Sequence, residues 1–68
     1  MKGSLYRIRV RGVLGETMLV AFSGMEANSC AGDTTLSGTL PDQAALHAVL
    51  HKIESLGLEL LEVRRLTA

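Results

Sequence analysis

Few side chains in this 68-residue chain could do chemistry. The most conspicuous form an alternation. In "LYRIRVRG", residues 5 to 12, Arg7, Arg9 and Arg11 are separated by Ile8 and Val10. On a strand this spacing sends the cations to one face and Tyr6, Ile8 and Val10 to the other. Adjacent guanidinium groups can hold phosphates, grip the carboxylates of a partner, or be neutralised within their own chain. A second group is His47 and His51, spaced i, i+4, with Glu54 three residues further on. On a helix this spacing could chelate a metal ion. The zinc-protease H-E-x-x-H pattern is absent, and an outward pair of histidines is ordinarily just solvated. Cys30 is the only cysteine and is expected to be a small buried residue rather than a nucleophile. Gly12 and Gly15 bracket a turn of the kind that can bind phosphate, but neither G-x-G-x-x-G nor a P-loop lysine accompanies them. No catalytic constellation emerges, so no enzyme, cofactor or metal centre is expected.

The bulk composition narrows the classes further. Seven basic and seven acidic side chains cancel, and Tyr6 and Phe22 are the only aromatics. Both features argue against a nucleic-acid partner, which calls for excess positive charge and for stacking platforms. The opening "MKGSLYRIRV" has no apolar core of a secretory signal. No apolar run reaches the roughly 18 residues that span a bilayer, so a cytoplasmic location is expected. Residues 1–68 make one small domain with a modest core. A single cysteine precludes an internal disulfide and the usual structural zinc sites. Oligomerisation is therefore the support to expect.

The elements that must position these groups follow from periodicity. A first strand runs from about Leu5 to Val10 or Arg11, and Gly12 and Gly15 end it. In "GETMLVAFSG", residues 15 to 24, helical spacing would align Leu14, Met18, Ala21, Phe22 and Met25. Strand spacing would align Met18, Val20 and Phe22 instead, and the Met, Leu and Ala content favours a short helix. A weak strand, Met25 to Cys30, leads into the hairpin signal "AGDT", in which Gly32 supplies a positive φ and Asp33 suits a turn. The next strand, Thr34 to Leu40, points Leu36, Gly38 and Leu40 one way and Thr35, Ser37 and Thr39 the other. "TLPDQAALHAVLHKIESLG" carries both ends of a helix, a Thr39–Asp42 capping pattern with Pro41 in the first turn and Gly57 as the terminating residue. Its apolar stripe is Leu46, Val49, Leu50, Ile53 and Leu56, flanked by Ala45, with Gln43, His47, His51 and Glu54 outside.

The last strand, Leu58 to Leu66, slips in parity, because Glu59 and Glu62 are three apart. Either a bulge restores the alternation or Leu61 and Val63 stand on the outer face as an apolar patch. The order β-α-β-β-α-β predicts an α+β, ferredoxin-like fold. It has a four-stranded antiparallel sheet, helices on one face, and strands one and three in the centre. A βββαβ meander with one helix is the alternative if residues 15 to 24 form a strand. In the first arrangement Glu59 and Glu62 face Arg7, Arg9 and Arg11 across the ladder and neutralise them. The surface expected to meet a partner, above all a second copy of the chain, comprises Arg7, Arg9, Arg11, Leu61 and Val63.

Several families share parts of these patterns. "YRIRVRGVLGETM" resembles the opening of the acylphosphatases, but "GVLGETML" lacks the arginine and second glycine of their phosphate loop. The aromatics of RNA-recognition motifs and the C-x-x-C pair of heavy-metal-binding domains are absent. ACT domains are similar in size and element order, although their acidic-Pro-Gly turn is missing here. That likeness implies a small-metabolite-binding regulatory domain as the alternative function, with a pocket near Gly12 to Gly15. Residues 36 to 66, "LSGTLPDQAALHAVLHKIESLGLELLEVRRL", resemble the C-terminal half of small uncharacterised bacterial proteins of actinobacterial type, most specifically in "LPDQAALH" and "LGLELLEV". That resemblance implies no activity.

Overall fold

In the computed structural model, which describes residues 3–66, the chain forms four strands and two helices. In chain order they are β1 (Ser4–Arg11), α1 (Glu16–Leu19) continuing into a 3₁₀ turn (Val20–Phe22), β2 (Glu26–Cys30), β3 (Asp33–Leu40), α2 (Gln43–Ser55) and β4 (Leu60–Arg65). The segment in doubt, residues 15 to 24, is thus helical, and the one-helix meander does not occur. Its stripe accounts for this. Leu14 and Phe22 are buried, and Met18, Ala21 and Met25 pack against them.

The sheet runs β2-β3-β1-β4, with every neighbouring pair antiparallel and strands β1 and β3 central. The alternation of β1 is realised in full. Tyr6, Ile8 and Val10 are buried on the inner face beside Leu36 and Leu40 of β3. Leu14 of the β1–α1 loop, Phe22 of the 3₁₀ turn, and Leu46 and Ile53 of α2 close the same core from above. Lys52 Nζ donates to the Ala21 carbonyl at 2.8 Å, which ties α2 to the end of the 3₁₀ turn on that side. Both helical segments thereby cover one face of the sheet.

Three local details differ from the pattern read in the sequence. The hairpin between β2 and β3 turns on Ala31 and Gly32, both at positive φ (54° and 86°), so it uses the mirror-image geometry that suits strand twist. Asp33 is not in the turn but opens β3 opposite Cys30. Helix α2 is capped by Asp42 alone, whose Oδ1 accepts the Ala45 N–H at 2.9 Å. Thr39 takes no part, because β3 stays paired to β1 as far as Leu40 opposite Ser4 and holds the chain extended past Thr39. Pro41 accordingly precedes the cap instead of entering the first turn.

The far end of α2 closes as its glycine predicts. Gly57 lies at φ 74°, its N–H reaches the Glu54 carbonyl, and the Leu58 N–H reaches that of Ile53. This is a Schellman ending, and its apolar contact is the packing of Leu58 against the Ile53 cluster. In β4 the parity slip is a bulge. Arg9 opposes Glu62, Val10 opposes Leu60, and Leu61 is the extra residue. Val63 opposes the fully buried Ile8 and therefore lies on the helix side of the sheet, at its edge and 38% exposed. The outer-face placement of Leu61 and Val63 is thus replaced by the bulge, which keeps both glutamates in water.

Candidate interaction surface

Among the described residues, no element covers the sheet face opposite the helices. Partners in an antiparallel register share a face, so the ladder defines its rows. Arg11 of β1 sits opposite Asp33 of β3, Arg9 opposite Thr35, and Arg7 opposite Ser37. On the far side of β1, Arg9 sits opposite Glu62 and Arg7 opposite Arg64. On the far side of β3, Glu26 faces Ser37, Asn28 faces Thr35 and Cys30 faces Asp33. The middle of this face is a shallow polar depression lined by Arg7, Arg9, Asn28, Thr35, Ser37 and Glu62, among others.

The expected neutralisation of the arginines is only partly realised. Arg11 Nε meets Glu59 Oε1 at 2.8 Å. Glu62, directly across from Arg9, instead turns its Oε2 to Arg64 Nη2 at 3.0 Å along its own strand. Those are the two ion pairs among the described residues, and they leave Arg7 and Arg9 without a carboxylate. Glu26 and Asp33 likewise have no cation. Arg7 and Arg64 are like charges directly opposite each other, an unfavourable cross-strand pair. The bare face therefore holds unpaired charges of both signs, separated by hydroxyl and amide side chains.

The remaining candidates are placed elsewhere. His47 and His51 project from the exposed side of α2, and among the described residues no three His, Cys, Asp or Glu side chains gather to hold a metal ion. Cys30 is exposed, not buried as expected. It lies on the short edge strand β2, every residue of which is solvent-accessible. The Gly12–Gly15 turn is held by a residue that the sequence reading left without a role. Thr34 is 1% exposed, and its Oγ1 donates to the Gly12 carbonyl at 2.7 Å and accepts from the Leu14 N–H at 3.2 Å. Those turn groups are consumed by the fold and do not point to a ligand. Its parity with Leu36 was the signal that could have placed Thr34 inside.

A second, smaller feature is apolar. Leu50, Ile53, Leu58 and Leu60 line a groove between α2 and the β4 edge, next to the exposed Val63. Val63 and the arginines consequently belong to different faces, and no single flat surface contains them all.

The model of a family described as a domain of unknown function, DUF8691, matches residues 5–64. The chain belongs to that family. No curated protein and no solved structure matches it. The DUF8691 match takes in all but the outermost residues of β1 and β4, so the bare face with its arginines lies within the family's domain. No helix of the described residues is long and apolar enough to cross a membrane.

Proposed function

We propose that this DUF8691 chain is a non-enzymatic protein-interaction module of the ferredoxin-like βαββαβ type that self-associates as a homodimer through the bare face of its sheet. The ferredoxin-like reading is supported by the element order and by the central position of β1 and β3. The observation that carries the function is the pair Arg7 and Arg9. They are held side by side on a rigid central strand, outside any intrachain ion pair, on a face that no helix covers. Arginine in that setting is suited to bidentate contacts with a partner's carboxylates and hydroxyls. Small size without a disulfide adds a reason for a second copy.

The test is molar mass by light scattering on a sizing column, in low salt and in about 1 M salt, where the Debye length falls to about 3 Å. A dimer in low salt that dissociates in high salt is the expected result. A dimer indifferent to salt would move the contact to the apolar groove beside Leu60 and Val63 and overturn the face as the site. A monomer at high micromolar concentration in both would end the homodimer reading.

A further inference from the structure

One orientation of a second copy brings an arginine to each unpaired carboxylate of the bare face and sets Arg7 and Arg9 against hydroxyls. Resting on the homodimer reading above, we infer that two copies pack face to face about a two-fold axis lying in the interface and running along the strands, between β1 and β3. Such an axis lays β1 of each copy over β3 of the other and β4 over β2, while keeping each row of the ladder over the same row.

The rows then decide whether the contact is tolerable. In one row Arg11 meets Asp33 of the second copy, and in another Arg64 meets Glu26. On this face, among the described residues, Glu26 and Asp33 are the two carboxylates outside any ion pair. Between those rows Glu62 meets the Asn28 amide and Arg9 the Thr35 hydroxyl, while Arg7 meets the Ser37 hydroxyl. No like charges coincide. The other in-plane axis, across the strands, lays β1 over β1 and stacks the arginines of both copies on one another. Like-charge juxtaposition of that kind costs several kcal/mol. The preferred axis also relieves the Arg7–Arg64 opposition by bringing Glu26 of the second copy to Arg64.

The size of the face sets the strength. Eight-residue strands at about 3.3 Å per residue and four strands about 4.8 Å apart give a footprint on the order of 400–500 Å². That is at the small end for a stable interface, which buries about 800 Å² on each partner. The dimer is therefore weak and governed by charge.

The experiment is a charge swap followed by sedimentation equilibrium at low ionic strength. Glu26 and Arg64 lie on opposite edges of the sheet, with backbones about 14 Å apart, so they do not pair within one chain. Both are exposed, and thermal melts check that each variant folds. Glu26→Arg alone and Arg64→Glu alone should each raise the dissociation constant about tenfold or more. Mixing the two variants should restore a heterodimer to within about threefold of the original affinity. The double variant E26R/R64E should self-associate again. If the unaltered chain dimerises but the single reversals leave it intact, or the mixture fails to rescue, this orientation is wrong while self-association stands. If the unaltered chain is monomeric, both fall together.

Discussion

At the scale of single residues, the interior polar group matters more than the visible ion pairs. Thr34 bonds two backbone groups of the β1–α1 loop with one hydroxyl, in a site closed to water. Thr34→Val keeps the shape and leaves the Gly12 carbonyl and the Leu14 N–H unpaired. The expected loss is about 1–3 kcal/mol, read as a lower urea midpoint with unchanged slope. Arg11→Gln is the contrasting case. It removes an ion pair whose side chains are 66% and 59% exposed, and the same titration should move by less than about 1 kcal/mol. Parity with Leu36 shows that Thr34 faces inward. Its partners, 20 and 22 residues away, are visible only once β3 lies beside β1.

At the scale of elements, α2 was the most legible, because its ends are local chemistry. Asp42 supplies the acceptor for an otherwise orphaned N–H, and Gly57 accepts the left-handed backbone that closes the last turn. Asp42→Ala should cost about 0.5–2 kcal/mol. Gly57→Ala should cost about 1 kcal/mol, since alanine is strained at φ 74°. In a domain of this size each kcal/mol lowers the melting temperature by about 4–8 °C, so scanning calorimetry resolves both changes. Thr39 was misread as a cap because a T-x-x-D string is local, whereas the pairing that holds Thr39 in β3 is not. In β4 the spacing of Glu59 and Glu62 showed that the alternation breaks. The register with β1 then shows that Leu61 is the residue that breaks it.

At the scale of the whole molecule, the proposed self-association would be coupled to folding. If the dimer forms only from folded chains, the melting temperature should rise with protein concentration in low salt, and this dependence should vanish in about 1 M salt. Differential scanning fluorimetry over a hundredfold concentration range tests it. A melting temperature independent of concentration in low salt would remove the dimer as a source of stability. The bare face follows from topology. Two short connections place both helical segments over Ile8 and Leu36, and no segment among the described residues is left to cover the other side.

The sequence by itself determined the inward set Tyr6, Ile8, Val10, Leu36 and Ile53 and the C-terminal end of α2, and it narrowed the element order to two alternatives that differ at residues 15 to 24. Each of these depends on side chains a few residues apart, where helix and strand periods act directly. Tertiary structure alone decided which carboxylate met which arginine. Glu59 and Glu62 were candidates for all three arginines, but the bulge at Leu61 aligned Glu59 with Arg11, while Glu62 pairs with Arg64 along its own strand. The same register places Val63 on the helix side of the sheet, and the strand order leaves Cys30 exposed on an edge. A one-residue change of register exchanges the two faces of a strand, and register belongs to the pair of strands, not to either one.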